Sequence, residues 1–259
     1  MIKSSFEFSL GNIGYYCGEP LPSKGAYVNV PLPSNYSEIV NLKGERFRDH
    51  FTRVCLYLSS LNIENAKKEN DHVIVGTEYG NIDSMVRFQK QAKDNDKEIS
   101  AQQFPYATTS SASTFINIDK EIKGGNVTLN AGVKTPLLAF LYSLLKIKEH
   151  KESNCHIFVG DIYSDLALED AEKKNIDKNK ITPAVTYGAI LQGTTYRATL
   201  AQEDRVNVVK KIVLGREHDF NQAVVFNDFL CSIRTMPILS CIQFCSLGDQ
   251  NSLFVTRNA

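Results

Sequence analysis

The chain has 259 residues, and its 42% hydrophobic and 22% charged content is that of an ordinary globular protein and excludes an intrinsically disordered one. It carries 29 basic and 29 acidic residues, so its net charge is zero and no overall field attracts nucleic acid or an anionic membrane surface. No apolar run approaches the roughly 20 residues of a membrane-spanning helix, and residues 1–10 lack a secretory pattern. We therefore expect a cytoplasmic protein with no nucleic-acid or membrane partner.

The first part of the chain predicts helices that alternate with strands. Residues 1–40 are rich in Gly, Pro and Ser and predict an extended, loop-rich lead-in. Apolar residues at helical spacing predict helices over residues 47–58 and 82–88. Residues 72–75 form a short apolar run closed by Gly76, which indicates a buried strand.

A second unit follows the same plan, with a strand over residues 127–130, a helix over 136–148 and a strand over 156–159. This order of elements favours a right-handed parallel unit. The charged residues 169–180 predict a solvated excursion. One further helix is expected over residues 206–214. Strands are expected over residues 185–191, 198–202, 223–226, 238–244 and 253–255.

The six cysteines show no paired CxxC spacing, so we expect neither a metal site nor a cofactor. Cys241 and Cys245 are four residues apart in a strand-like pattern, share a face and are interpreted as small buried hydrophobes. Cys155 and His156 form the one candidate catalytic dyad, because an imidazole can activate a cysteine nucleophile. Adjacent residues on a strand point to opposite faces, which favours a buried cysteine beside an unrelated histidine.

Several short segments follow one another in a distinctive order. They are residues 75–80 (VGTEYG), the Phe-Pro pair at 104–105 with residues 110–118, residues 125–139, residues 158–161 (FVGD) and residues 246–254 (SLGDQNSLF). In this order and spacing they resemble the β-ketoacyl synthase branch of the thiolase-like proteins. The resemblance implies an α/β protein with a thiolase-like layered α/β/α fold. It also implies a ketosynthase-like N-terminal half, residues 1–200, and a truncated C-terminal half, residues 201–259, packed into the same single domain.

Val133 lies where ketosynthases hold their nucleophilic cysteine, on the turn from a strand to a helix. The N-terminus of a helix stabilises a thiolate at such a turn, but valine has no lone pair and no titratable proton. Active members also use two histidines in Gly- and Thr-rich motifs. No histidine of this chain has that context; the five are His50, His72, His150, His156 and His218. The resemblance therefore implies that the site has no catalytic residue.

The joint absence of the nucleophile, the histidine motifs and part of the C-terminal half resembles chain length factors. These are the catalytically silent partners of the ketosynthases of type II polyketide synthases and of aryl polyene systems. Each forms a heterodimer with an active ketosynthase and contributes one wall of the tunnel that holds the growing chain. The resemblance implies an active ketosynthase as the stable partner and an acyl carrier protein as a transient one. Many members carry glutamine at the nucleophile position, and Val133 departs from that pattern.

The resemblance also assigns two sets of site residues. Counting back from Val133 places Asn81, Ser84 and Phe88 at the positions that gate the tunnel, and their i, i+3 and i+7 spacing puts them on one face of a helix. The alternative is that Phe88 is an ordinary core residue. The dimer interface is expected along one strand, formed by Val127, Thr128, Leu129 and Asn130.

Two other classes of function remain open. The first is an independent cysteine-dependent acyltransferase or thioesterase on a thiolase-like frame, with Cys155 or a C-terminal cysteine as the nucleophile. The second is a purely structural scaffold that recruits carrier proteins. Glu78 and Asp161 follow predicted strands and suggest carboxylate chemistry, but nothing in the sequence fixes their separation, so they are interpreted as structural or exposed.

Overall fold

The structure is a computed structural model that describes residues 5–17, 31–40, 48–64, 66, 69–94, 101–150, 152–177, 181–202, 207–215, 220–246 and 251–259. The strands are β1 (Ser5–Cys17), β2 (His72–Gly76), β3 (Asn126–Leu129), β4 (Cys155–Asp161), β5 (Ala184–Ala201), β6 (Val208–Leu214), β7 (Cys241–Ser246) and β8 (Ser252–Arg257). The α-helices are α1 (Tyr36–Ile39), α2 (His50–Asn62), α3 (Ile82–Asp94), α4 (Ser111–Lys120), α5 (Thr135–Glu149), α6 (Asp165–Lys173) and α7 (Gln222–Thr235). Two 3₁₀ segments, Ala101–Tyr106 and Gly132–Lys134, complete these elements.

The strands form one mixed sheet in the order β3-β2-β4-β5-β8-β7-β6, with β1 alongside β5. Strand β2 runs parallel to both β3 and β4, and β6 runs parallel to β7. The pairs β4–β5, β5–β8 and β7–β8 are antiparallel. The parallel strand–helix–strand arrangement predicted around β2, β3 and β4 is therefore confirmed.

Strand β5 joins two parts of the sheet. Its residues 184–190 pair with β4, whereas its residues 196–201 pair with β8. Strand β1 follows β5 along most of its length, from Ser5 opposite Thr199 to Cys17 opposite Ala184. The prediction of a loop-rich lead-in is thus wrong for residues 5–17. Alternate residues Phe6 and Phe8 are buried, as expected for a half-buried strand.

Helices α5 and α7 pack against each other and against the sheet, and α7 also reaches β7. The Phe140 ring of α5 packs edge-on against the Phe229 ring of α7, with the ring centroids 5.0 Å apart. Phe229 in turn stacks on Phe244 of β7 at 4.2 Å, and Phe8 of β1 packs against Phe140 at 5.4 Å. These rings belong to a single hydrophobic cluster that also contains Ile157 of β4. The apolar helix predicted over residues 136–148 is therefore buried on the side that faces the sheet and α7, while Leu138 and Leu145 are exposed.

Helices α2 and α4 cover the opposite face of β2 and β4. Val73 and Val75 of β2 and Phe158 of β4 form a second cluster with Leu56 of α2 and Ile116 of α4. Successive residues of β4 point into different clusters because side chains alternate across a strand. Helices therefore cover both faces of the sheet around β2 and β4, so the predicted layered α/β arrangement is confirmed.

Three segments differ from the prediction. Residues 208–214 form strand β6 rather than a helix, and residues 223–226 form the first turn of α7 rather than a strand. Helix α6 extends into the predicted charged excursion as far as Lys173 and buries Ala167, Leu168 and Ala171 on one side. Its N-cap is Ser164, whose side chain accepts a hydrogen bond from the Ala167 N–H. The predictions that involve Phe47, His218 and residues 247–250 lie outside the described residues.

Candidate functional site

The carboxyl ends of β2, β3 and β4 meet at one edge of the sheet. Gly76 of β2 lies beside Leu129 of β3 and Val159 of β4 in the strand register. The loop 77–81, the turn 130–134 and Asp161 therefore lie side by side. In open α/β sheets ligands bind outside the carboxyl ends of the strands, so this edge is the candidate functional site.

Val133 lies on the 3₁₀ turn Gly132–Lys134, directly before α5, as the sequence predicted. Hydrogen bonds hold the turn on both sides. The Thr135 Oγ1 accepts from the Ala131 N–H at 2.9 Å, and the Gln222 side chain of α7 donates to the Gly132 carbonyl at 3.1 Å. The Asn130 side chain donates to the Glu78 carbonyl at 2.9 Å and so joins this turn to the neighbouring loop. The half-buried Val133 side chain itself offers no group that attacks a carbonyl.

Three of the histidines lie at the opposite end of the parallel strands from Val133. His72 and His156 are at or next to the first residue of β2 and of β4, and His150 directly follows the last residue of α5. These positions are at the amino ends of the parallel strands, whereas Val133 is at their carboxyl ends. His72, His150 and His156 are therefore not arranged as general bases for a group at the Val133 turn.

Asp161 is the most densely hydrogen-bonded carboxylate of this edge. It is 1% exposed and lies directly after Gly160, whose positive φ of 143° and close approach to Ala184 leave no room for a Cβ. The Thr77 hydroxyl and the backbone N–H groups of Tyr79, at 2.8 Å, and Gly80, at 3.0 Å, donate to its Oδ1. The Glu78 N–H adds a longer bond of 3.2 Å.

The pKa of Asp161 reflects two opposing effects. Burial raises the pKa, the hydrogen bonds from Thr77 and from the backbone of the loop lower it, and the net result is a pKa raised to about 6. The carboxylate is ionised at pH values well above this pKa, where it accepts all of these bonds. The sequence interpretation of Asp161 as structural or exposed was thus correct only in its first part, since the side chain is buried.

The Tyr79 side chain fixes the same loop from the other side. Its hydroxyl donates to Asp170 of α6 at 2.6 Å, and its ring stacks on Phe220 with the centroids 5.2 Å apart. Burial and the Asp170 carboxylate raise the pKa of the Tyr79 hydroxyl, so it remains protonated and donates. The loop between β2 and α3 is consequently held through its backbone by Asp161 and through the Tyr79 side chain by Asp170 and Phe220.

Two of the three predicted gate residues line a pocket of about 190 Å³ between α3 and the 3₁₀ segment Ala101–Tyr106. They are Ser84 and Phe88. Phe88 is half-buried, and its ring packs against the exposed Phe104 ring at 6.2 Å. Among the described residues, Phe88 is in none of the three hydrophobic clusters. Asn81 has a different contact, since its side-chain amide donates to the Tyr106 carbonyl at 3.0 Å and the Thr108 carbonyl at 2.7 Å.

Among the strands of the described residues, β3 is at the outer edge of the sheet and pairs on one side with β2. Val127 and Leu129 point toward α5 and pack against the hydrophobic cluster that contains Phe140 and Ile157, here called the central cluster. Thr128 points to the other face, where its hydroxyl contacts the Ser113 hydroxyl at 3.2 Å. The predicted interface residues therefore lie on an edge strand.

The Cys155–His156 pair is not a catalytic dyad. The Cys155 thiol is fully buried in the central cluster and contacts the Ser143 carbonyl at 3.6 Å, and burial raises its pKa to about 12. His156 lies on the opposite face, as the alternation of a strand requires. Its Nδ1 is 2.9 Å from the Tyr187 hydroxyl and its Nε2 is 3.2 Å from Asp71.

This buried Asp71–His156–Tyr187 network was missed in the sequence, because its members are separated by more than 80 and by 31 residues. It lies at the amino end of β4, away from the candidate site. In the described part of the chain, no helix is long and apolar enough to cross a membrane, and no three His, Cys, Asp or Glu side chains are grouped as metal ligands.

No protein-family model and no curated protein sequence matches the chain. Solved structures do match. The ishigamide ketosynthase/chain length factor is 12% identical with a TM-score of 0.67, over 86% of this chain and 85% of that chain. A chain of the ketosynthase ApeO in complex with its chain length factor ApeC from Xenorhabdus doucetiae is 13% identical with a TM-score of 0.59, over 97% and 99%.

A third match belongs to AntDE:AntF, a type II polyketide synthase acyl-carrier protein in complex with its ketosynthase, at 9% identity and a TM-score of 0.67 over 98% of this chain and 100% of that chain. At these identities the similarity establishes the fold. This protein has the thiolase-like α/β fold found in ketosynthase and chain length factor complexes. The fold class predicted from the five short segments is therefore confirmed.

Proposed function

We propose that this chain is a non-catalytic chain length factor that forms a heterodimer with an active ketosynthase and shapes the tunnel that sets the length of a polyketide or polyene chain. The single observation that carries the proposal is Val133, an inert side chain on the turn that precedes the central helix of a thiolase-like fold. A protein that keeps this fold without a nucleophile at the turn serves a structural role and not a catalytic one.

The edge strand supports the part of the proposal that concerns the partner. Val127 and Leu129 of β3 are half-buried, and the neighbouring helix α5 exposes Leu138 by 40% and Leu145 by 45%. Unpaired edge strands with apolar surroundings are sites at which another strand adds. An obligate interface buries upwards of about 2,000 Å² in total, which requires both the strand and the leucines of α5. Acyl carrier protein would then reach this chain only within the complex.

The competing hypothesis, a cysteine-dependent acyltransferase or thioesterase, has less support. A nucleophilic cysteine needs a lowered pKa and access to solvent, and Cys155 has neither. Cys241 and Cys245 are buried in β7, and the exposed Cys231 of α7 has the amide oxygen of Asn227, which is not a base, as its hydrogen-bond partner at 3.7 Å. We therefore retain the chain length factor as the proposed function.

Co-expression with the active ketosynthase of the same biosynthetic system tests the proposal directly. We expect the two chains to co-purify as a heterodimer and the ketosynthase to make products of defined length with this chain present. Without it, we expect products that are shorter, mixed or absent. Two chains that elute separately, with a product profile independent of this chain, would contradict the proposal.

Covalent labelling tests the lack of chemistry at Val133. Incubation of the purified complex with a radiolabelled acyl-carrier thioester should label the ketosynthase and leave this chain unlabelled, because loss of a covalent nucleophile costs many orders of magnitude in rate. The ketosynthase in the same tube is the positive control. Stoichiometric, hydroxylamine-sensitive label on any cysteine of this chain would instead favour the competing hypothesis.

A further inference from the structure

Helix α3, which carries Ser84 and Phe88, begins two residues after a loop whose backbone is hydrogen-bonded to one buried carboxylate, that of Asp161. Residues 77–80 lead from the end of β2 to Asn81 and the first turn of α3. Three consecutive backbone N–H groups of this loop, from Glu78, Tyr79 and Gly80, point at Asp161 at distances of 2.8–3.3 Å. Backbone donors that converge in this way fix the path of the main chain rather than one side chain.

The two strands that carry this contact are themselves rigidly paired. Strands β2 and β4 are parallel neighbours with Gly76 opposite Val159, so Asp161 extends two residues beyond the last pair. Both strands are fully buried. Asp161 therefore holds the loop that follows β2, residues 77–80, in a fixed position relative to the sheet.

The Thr77 hydroxyl completes the arrangement. It donates to Asp161 and accepts from the Gly80 N–H at 2.8 Å, so it closes the loop on itself. Gly80 has a positive φ of 43°, a conformation that side chains with a Cβ rarely adopt. Loss of the Asp161 charge would leave these N–H groups with a weaker, neutral acceptor, so the loop would be held less firmly.

We propose that Asp161 is a positioning residue that sets the place of helix α3, and with it the walls of the pocket at Ser84 and Phe88. The inference rests on the proposed function in so far as that pocket gates chain length. Asp161 does not reach the pocket, whose walls come from α3 and residues 103–107. It acts on the pocket through the loop and the start of α3.

Hydrogen exchange of the wild-type and Asp161→Asn complexes, measured at a pH well above the pKa of Asp161, tests the local part of the inference. We expect exchange of the amides of residues 78–80 and of the first turn of α3 to become about tenfold faster or more, because bonds to a charged acceptor are stronger than bonds to a neutral amide. Amides of α5 should be unchanged. Unchanged exchange at residues 78–80 would overturn the inference, whatever the chain does for its partner.

Tyr79→Phe is the matched control. It removes the Asp170 hydrogen bond but keeps the Phe220 stack and the backbone bonds to Asp161. We expect it to leave exchange in α3 close to that of the wild type. An equal acceleration in Tyr79→Phe and Asp161→Asn would mean that the whole loop is generally destabilised and that Asp161 has no special positioning role.

Product length is the second readout, since a merely structural residue would lower yield without changing the distribution. Intact Asp161→Asn complexes should give a broader or shifted distribution, whereas Tyr79→Phe complexes should keep that of the wild type. Faster exchange in α3 with unchanged products would overturn the link to the pocket.

If the wild-type chain has no effect on products, the proposed function fails while the exchange experiment still decides the role of Asp161. Thr77→Val, which removes one donor, gives the same comparison if Asp161→Asn does not fold.

Discussion

A Thr128→Pro variant is expected to fold but to lose its ketosynthase partner. The carbonyls of Gly125, directly before β3, and of Leu129, its last residue, accept bonds from N–H groups in β2 and directly after it, and alternate residues of a parallel strand bond to the same neighbour. The Thr128 N–H therefore points away from β2, toward the open edge. Proline is tolerated at such an edge position because no backbone hydrogen bond within the chain is lost; the Thr128 hydroxyl contact with Ser113 is lost as well. An added strand, however, would lack one donor and meet the proline ring.

We expect the affinity for the ketosynthase to fall about a hundredfold or more, since an unsatisfied buried carbonyl on the partner costs roughly 1–3 kcal/mol and the ring adds a steric penalty. Light scattering coupled to size exclusion measures the heterodimer. The control is Thr128→Val, which loses the Ser113 contact but keeps the N–H. A Thr128→Pro complex as stable as that of Thr128→Val would place the interface elsewhere on the molecule.

The second large effect is expected for Phe88→Ala, which should lengthen the products of the complex. The change removes most of an aromatic ring from the wall of the 190 Å³ pocket and gives room for further two-carbon units. A buried core phenylalanine would instead cost about 3–5 kcal/mol on truncation to alanine. Phe88 is half-buried beside the exposed Phe104, so we expect a smaller loss of stability and an intact heterodimer. Mass spectrometry of the products, together with thermal unfolding of the complex, separates the two outcomes.

Ser84→Phe supplies the reverse test, because Ser84 lines the same pocket and a larger side chain there should shorten the products. Asn81 is unsuitable for this purpose. Its amide binds the carbonyls of Tyr106 and Thr108, and a phenylalanine would break both bonds in addition to adding volume. Unchanged product lengths in intact Phe88→Ala and Ser84→Phe complexes would show that this pocket is not part of the tunnel.

The elements that were predicted correctly are those whose partners are close in the sequence. The run 72–75, the helix after Val133 and the strand around Ile157 each have a periodicity that a local window detects. Val133 itself was found at the predicted turn because the strand and the helix on either side of it both have strong patterns. The fold class followed from these units and from the order of the short glycine-containing segments.

The elements that were missed depend on distant partners or on ambiguous composition. Residues 5–17 contain Gly11 and Gly14 and gain their strand structure from β5, almost 200 residues away. Residues 208–214 have the β-branched residues of a strand, but the adjacent lysines and the short length also fit a helix. Asp161 could not be assigned because its acceptor role depends on three N–H groups more than 80 residues earlier in the chain.

The pairing of β1 with β5 also determines when the chain can complete its fold during synthesis. Cys17 leaves the ribosome long before Ala184, its partner in the register. At roughly 5–20 residues per second, the first strand waits about 10–30 s for the second. Throughout this interval Phe6 and Phe8 lack the β5 contacts that bury them in the finished protein. A chaperone that binds extended apolar segments would therefore have a target in this strand until residues 184–201 emerge.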